Sequence, residues 1–338
     1  MSLETLCKDF NKSAKSEIVQ FGVKQFKEDV IPLSSPRANY CLYGGIPIGR
    51  LVEFFGAEGS GKTATSLDLC ANAQKLFPDR KILFIDAENT YDSKWATKLG
   101  VNSDKLLIMK PESQTAEEIF QFILDAIDTG EICLVIIDSL GVMLSEQAYE
   151  KDMSERTYGG ISMALTTFSK KAEMLCHKQN CTVVGINQMR DNMNSMYGGT
   201  VTTGGKAWKH NTSLRVEFRR GEFFDTSYNK VNQSYENPMG NYVQISVVKS
   251  KCFPNDRKTG QYTLCYYSGI DALTDTVDLA IKIGIIVQSG AWFSILNPET
   301  GELIEKCQGR PNVIECLKNK EDIRNMVEKT INAYITGG

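Results

Sequence analysis

Residues Arg50 to Thr65, RLVEFFGAEGSGKTAT, restrict this chain more than any other stretch. Leu51 to Phe55 is a short apolar run with strand character. A glycine-rich turn at Gly56, Gly59 and Gly61 breaks it, and a helix pattern begins at Lys62. The spacing is G-x-x-x-x-G-K-T, that of a phosphate-binding loop. Glycines tolerate positive φ and let bare backbone N–H groups point at a polyphosphate. The helix that follows presents its positive dipole end to the same anion. Gly56, Ala57, Glu58, Gly59, Ser60, Gly61, Lys62, Thr63 and Ala64 are therefore the predicted nucleotide-binding residues. Lys62 would reach the β- and γ-phosphates, and the Thr63 hydroxyl would ligate Mg²⁺. The competing reading is a glycine-rich turn followed by a chance Lys-Thr. A full match set between strand and helix disfavours it.

The rest of the chain must supply a core large enough to hold such a loop. With 338 residues, 42% hydrophobic and 23% charged, it has the composition of an ordinary globular protein. The net charge of −3 means that nucleic-acid contacts must rest on local basic patches and not on a global field. No apolar run has the length of a membrane span, and MSLETLCKDFNKSAK is not a signal peptide, so a cytoplasmic location without membrane contact is expected. The ten cysteines include no C-x-x-C pair; Cys176 and Cys181 flank His177, which does not complete a zinc set. Most lie in apolar segments, such as Cys133 and Cys265, and read as reduced core residues.

Alternation of elements sets the fold class. Residues 1–35 form a small separate element: a helix pattern from Ser2 toward Lys15, the strand-like IVQFGVKQF, and the breaker Pro32. Alone it buries little, so it is expected to pack on its own core or on a neighbouring subunit. From Pro36 to 268 an α/β rhythm runs through KILFID, KLLIMK, the helix TAEEIFQFILDAIDTG with a Thr115/Glu118 capping box, CLVIID, a helix from Gly160 to Gln179, and TVVGIN. This predicts a mostly parallel central sheet flanked by helices. LRVEFR, YVQISVV and QYTLCYY read as antiparallel strands at one side of it. Residues 269–338 read as a small α/β C-terminal lobe with AWFSIL as a strand and two terminal helices.

Candidate chemistry clusters at strand ends. Asp138 closes LVIID, where a carboxylate beside a phosphate loop usually serves Mg²⁺. Glu88 follows KILFID and could orient and deprotonate a water; on the residues alone, a solvated loop carboxylate is an equal alternative. NQMRDNMNSMYGGTVTTGGKAWK has loop composition and is read as functional. Its Gly198, Gly199, Gly204 and Gly205 amides, with Arg190 and Lys206, could follow a phosphate backbone, while Met193 or Tyr197 wedges against bases. EKDMSERTYGG offers Arg156 and Tyr158 in a similar role. Lys249 and Lys251 of VVKSK sit two residues apart on one side of a strand end, able to meet a phosphate in the same subunit or in a neighbour's, although on the residues alone a solvated lysine pair is the better reading.

Taken together, GGIPIGRLVEFFGAEGSGKTATSLDL, LFIDAENTYDSKWATKLGV, VIIDSL, GINQMR, TTGGKAWK, VVKSK, VDLAIKIGII and SGAWFS resemble the bacterial and phage RecA recombinase family, in order and over roughly residues 40–295. The resemblance implies a RecA-type ATPase core using ATP and Mg²⁺, assembled head to tail as a helical filament on single-stranded DNA. It implies that Glu88 activates water, that Asp92 and Trp95 contact the adenine, and that Gln188 senses the γ-phosphate. It also implies that Lys249 and Lys251 act across the subunit interface, and that residues 150–160 and 189–205 are the two DNA loops, with Met193 separating base triplets. The chain departs from the family pattern at Asn89, at Asp191 and Asn192, and at Trp95, where a tyrosine is usual. It ends at Thr336-Gly337-Gly338 without an acidic run, so no inhibitory acidic tail is expected.

The function this implies is DNA-dependent ATP hydrolysis driving homologous pairing of a single strand with duplex DNA, strand exchange, recombination, DNA repair and the response to DNA damage (SOS), with mediator proteins as further partners. A RecA-fold ring helicase or motor is the enzymatic alternative, and a nucleotide-gated DNA-binding regulator with negligible hydrolysis the non-enzymatic one. A relative carrying an N-terminal zinc module is disfavoured, because the first 35 residues contain only Cys7.

Overall fold

A computed structural model describes residues 2–14, 19, 29–149, 160–191, 200–232 and 234–337. Helix α1 (Leu3–Ala14) precedes β1 (Val30–Ile31), α2 (Pro36–Cys41) and β2 (Ile46–Pro47). The main α/β unit then runs β3 (Leu51–Gly56), α3 (Lys62–Leu76), β4 (Lys81–Asp86), α4 (Ser93–Lys98), β5 (Leu106–Met109), α5 (Ala116–Asp128), β6 (Ile132–Asp138), α6 (Glu146–Tyr149) and α7 (Gly160–Gln179). It continues through β7 (Thr182–Asp191), β8 (Thr200–Thr202), α8 (Gly205–Asn211), β9 (Leu214–Phe224), β10 (Lys230–Val231), β11 (Gly240–Ser250), β12 (Thr259–Cys265) and β13 (Gly269–Ile270). The C-terminal lobe holds α9 (Ala272–Lys282), β14 (Ile286–Ser289), β15 (Trp292–Leu296), β16 (Leu303–Gln308), α10 (Arg310–Asn319) and α11 (Glu321–Thr336).

The main sheet has the order β13-β12-β11-β9-β3-β7-β6-β4-β5, parallel from β9 to β5 and antiparallel from β9 to β13. LRVEFR is therefore not simply an antiparallel strand, as its alternation suggests. As β9 it runs parallel to β3 and antiparallel to β11. The reason is its connection: α8 carries the chain across the sheet face after β7, and a helical crossover returns it in the same direction.

Strand β3 and strand β6 are buried throughout, as their unbroken apolar runs require. Alternate residues feed two cores. Val52, Phe54, Ile82, Phe84 and Ile136 pack with Leu67 and Leu69 of α3, whereas Leu51, Leu83, Ile85, Val135 and Ile137 pack with Ile119 and Ile123 of α5 and Phe168 of α7. The capping box starts α5 as predicted, with Thr115 N donating to Glu118 (2.7 Å) and Glu118 N to Thr115 Oγ1 (3.3 Å). Among the described residues the cysteines form no disulfide, and no helix is long and apolar enough to cross a membrane. Helix α1 buries none of its residues and leaves Leu3, Leu6 and Phe10 exposed along one face.

The C-terminal lobe has its own core, built on Val277, Phe293, Ile295, Leu317, Val327 and Ile331. Charged contacts within the lobe, and from it to α2 and to the segment between β11 and β12, hold it in place. Asp278 of α9 takes Arg37 Nη1 at 2.8 Å and Arg310 Nη2 at 2.6 Å, and Arg257 Nη1 donates to Ile335 O at 2.7 Å. Beneath them Asp275 is fully buried and accepts from Thr263 N (3.1 Å) and Thr263 Oγ1 (3.0 Å). Burial pushes its carboxyl up to about 7, against the opposing pull of the Ser35 hydrogen bond, Arg37 and Thr263. A raised carboxyl pKa means that the folded chain holds this proton where the unfolded chain releases it. Its contribution to stability is thus present at low pH and is lost as pH rises from about 4 through about 7. Asp275→Asn removes that loss. Urea denaturation should show the variant gaining on the wild type between pH 5 and pH 8, by an amount on the order of 1–3 kcal/mol. A difference that stays constant with pH would contradict the burial argument.

Candidate nucleotide site

The candidate site lies where β3, β7, β6 and β4 end side by side. Gly56 closes β3 so near to β9 that an added Cβ would lie 2.1 Å from the Phe218 carbonyl oxygen. Gly61 turns into α3 with φ of 96°, and a Cβ there would touch Val243 at 3.0 Å. Glycine is required at both positions to bring the loop down onto the sheet. Ala57, Glu58 and Gly59 are exposed at its tip, Ser60 is buried, and Ala64 is half-buried at the start of α3.

Lys62 is buried, and its ammonium donates to Gly56 O (3.0 Å), Ala57 O (2.8 Å) and Ser60 Oγ (3.4 Å). Burial lowers its pKa, and the charges of Asp138, Glu88 and Glu58 act in the opposite direction. The ammonium therefore sits folded back into the glycine-rich loop. Thr63 Oγ1 donates to Asp138 Oδ2 at 2.7 Å. Asp138 is 3% exposed, and burial raises its carboxyl to about 6, with the Thr63 bond opposing and Glu88 adding to the rise. A hydroxyl beside a desolvated carboxylate fits Mg²⁺, which takes one or two protein oxygens and completes its shell with phosphate and water. Among the described residues no three His, Cys, Asp or Glu side chains form a metal cage by themselves.

Glu88 is tied to β6 through both main chain and side chain. Ala87 N and Glu88 N reach Asp138 O at 2.8 and 3.3 Å. Glu88 Oε1 accepts from Ser139 Oγ at 2.5 Å and from Gln188 Nε2 at 3.0 Å. Glu88 is thus no free loop carboxylate, and Gln188 of β7 meets it directly. Its neighbour Asp86 serves the backbone instead. Fully buried, it accepts from Thr90 N (2.9 Å) and Tyr91 N (3.1 Å) and shapes the turn. Asp92 caps α4 by accepting from Lys94 N (2.8 Å) and Trp95 N (3.2 Å), while the Trp95 ring packs half-buried against the main core. Among the described residues neither one bonds to the phosphate loop.

The RecA N-terminal domain model matches residues 1–271 and the RecA C-terminal domain model residues 274–336. The chain belongs to the RecA family. It is 33% identical to Protein RecA of Chlorobaculum tepidum over 100% of its own length and 92% of that protein's. It is 36% identical to Protein RecA of Rickettsia massiliae over 85% of its own length and 79% of that protein's.

In this RecA-family chain, Lys249 and Lys251 stand far from the phosphate loop. Lys249 pairs with Arg215 in β9 and Ser250 with Leu214, opposite Glu53 and Val52 at the start of β3, whereas the loop leaves β3 at Gly56. At about 3.3 Å per residue and about 4.8 Å per strand, the separation is on the order of 15 Å. Lys249 Nζ donates to Lys209 O and His210 O at the end of α8, both at 2.7 Å. Burial lowers its pKa, as do Lys251 and Arg215 beside it. A phosphate held in the same protomer's loop is out of reach of either lysine.

The two described ends of the second predicted loop form regular structure that its composition does not suggest. Met189, Arg190 and Asp191 pair through their main chains with Thr202, Val201 and Thr200 as a β7–β8 ladder. TTGGKAWK closes as helix α8, with Trp208 fully buried. Gly204 caps that helix at φ of 99°, and a Cβ on it would press within 2.9 Å of Leu165, so close packing explains this glycine. Lys206 and Gly205 follow in its first turn. Met193, Tyr197, Gly198 and Gly199, like Arg156 and Tyr158, lie outside the described residues.

Sequence reasoning missed Ser139, and also a buried ion pair: Glu53 of β3 bonds Arg215 Nε of β9 and accepts from Asn187 Nδ2 of β7 at 3.0 Å. Asn187 Nδ2 also reaches Thr203 O at 2.8 Å, beside the β8 end of the hairpin. The available signal was a charge inside each of two apolar runs, LVEFF and LRVEF; only strand register makes them partners. Glu53→Ala would strand the Arg215 charge and should lower the free energy of unfolding by about 3–5 kcal/mol. Guanidinium denaturation measures it, and an unchanged midpoint would contradict the pairing.

Proposed function

We propose that this chain is an ATP hydrolase that polymerises on single-stranded DNA and promotes homologous pairing and strand exchange with duplex DNA in recombination and DNA repair. The observation that carries this reading is the convergence of Lys62, Thr63, Asp138, Glu88 and Gln188 at one sheet end. Names and activities of RecA relatives lend it support, as do the two matching domains.

The phosphate loop, residues 56–64, takes the triphosphate, with Lys62 on the β- and γ-phosphates and Asp92 and Trp95 toward the adenine. Thr63 and Asp138 would hold Mg²⁺, which neutralises phosphate charge when bound. Glu88 accepts the proton of the attacking water, and Gln188 senses the γ-phosphate. Lys249 and Lys251 serve the ATP of the adjoining protomer, a role favoured by their distance from their own loop. Residues 1–35 dock on a neighbouring protomer, a use for the exposed Leu3, Leu6 and Phe10 of α1. DNA is gripped by residues 150–160 and 189–205: Arg156, Tyr158 and Arg190 on phosphates, Met193 and Tyr197 on bases, and the Gly198, Gly204 and Gly205 amides along the backbone. Cations supplied in trans distinguish ATP from ADP at the interface, and that difference in affinity shifts the polymer between its DNA-binding and releasing forms.

ATP turnover with and without single-stranded DNA tests this. Hydrolysis should be stimulated by the strand and weakened by salt. Lys62→Ala should lose ATP-dependent filaments, and Glu88→Gln should bind nucleotide and DNA while losing turnover by a factor of about 10²–10⁴. Filaments formed normally by the lysine variant, or normal turnover by the glutamine variant, would overturn the assignment.

A further inference from the structure

Ser139 follows the Mg²⁺ candidate Asp138 directly and is wholly buried at the end of β6. Strand register sets Asp138 beside Asp86, so the two residues beyond each strand end face one another. Asp138 O takes the main-chain amides of Ala87 and Glu88, at 2.8 and 3.3 Å, and Leu140 N fastens the other side to Ile186 O of β7 at 2.9 Å. Between these clamps the Ser139 hydroxyl has a fixed direction, and it donates to Glu88 Oε1 at 2.5 Å. Gln188 Nε2 donates to the same oxygen at 3.0 Å. Among the described residues, Glu88 Oε2 accepts no hydrogen bond.

We infer that Ser139 is a positioning residue for ATP hydrolysis: its hydroxyl anchors Oε1 of Glu88 and reserves Oε2 for the proton of the attacking water. The inference rests on the ATPase reading above. In the step it serves, the water oxygen bonds to the γ-phosphorus, the bond from that phosphorus to the β–γ bridging oxygen breaks with its electron pair leaving on ADP, and the water's proton passes to Oε2. Gln188 cannot keep the carboxylate aimed throughout, because in that reading it also answers to the γ-phosphate. When its amide turns to the nucleotide, Ser139 remains as the donor on Oε1. One hydroxyl just past β6 thus separates orientation from proton transfer on a single carboxylate, and places the orienting group next to the metal-side Asp138.

The test compares wild type, Ser139→Ala and Ser139→Thr in DNA-stimulated ATP turnover, alongside binding of a fluorescent, non-hydrolysable ATP analogue. Losing a hydrogen bond to a charged group predicts a fall in kcat of roughly tenfold to a hundredfold for the alanine variant. KM and analogue affinity should stay within about twofold of wild type, since uniform binding is untouched. Threonine keeps the hydroxyl and should recover most of kcat. If the alanine variant does not fold, Ser139→Cys, close in size and a poor donor, carries the same expectation. A kcat within twofold of wild type in the alanine or cysteine variant would overturn the inference. A kcat loss matched by an equal loss of analogue affinity would also overturn it, because that is the signature of a merely structural residue. A wild type that binds the analogue but hydrolyses no ATP would instead remove the ATPase reading, and the role of Ser139 with it.

Discussion

Parallel hydrogen bonding among β3, β7, β6 and β4 is the constraint on which the site depends. Parallel strands end together, and here their carboxyl ends deliver Gly56, Gln188, Asp138 and Asp86 to one edge in matched register. Because both faces of these strands are covered, a one-residue slip would move every side chain into the wrong core. The register that sorts Val52 and Phe54 from Leu51 is therefore the register that brings Ser139 to Glu88. Packing and chemistry are specified by the same pairing, so site geometry is inherited from core formation. Local polar contacts then refine it.

Much of this was legible in the chain. The phosphate loop and Asp138 declare themselves through short-range patterns, a glycine spacing and an apolar strand that stops at a carboxylate, whereas Glu88 could be told from a solvated loop carboxylate only through the family resemblance. Helices were legible for the same reason, since the capping box at Thr115 and the run from Gly160 to Gln179 are local signals. What escaped depends on partners distant in sequence. Ser139 looks like any serine after a strand until Glu88, 51 residues away, is set against it. Glu53 and Arg215 are 162 residues apart and look like lone charges in apolar runs. The direction of β9 escaped because alternation reports which face is buried and carries no information on strand polarity. The β7–β8 ladder escaped because threonine- and glycine-rich sequence reads as loop whether or not its backbone finds a partner.

The sheet also separates two sets of cations. Lys62 belongs to the carboxyl end of the parallel strands, whereas Lys249 and Lys251 stand at the opposite end, beyond the reach of a flexible side chain. The proposed use of these lysines on a neighbour's ATP would require copies in head-to-tail order, which generates a helix unless the rotation closes a ring. Among the described residues, Leu3, Leu6 and Phe10 of α1 are likewise exposed along one face. The Arg37–Asp278 ion pair ties the C-terminal lobe to α2.

Electron microscopy of the purified protein on single-stranded DNA measures the central claim most directly, with a non-hydrolysable ATP analogue in one sample and ADP in the other. The account predicts a continuous helical filament with the analogue, its triphosphate enclosed between Lys62 of one protomer and Lys249 and Lys251 of the next, and a collapsed or dissociated polymer with ADP. Monomers under both conditions, closed rings, or a nucleotide contacted by one protomer alone would contradict it.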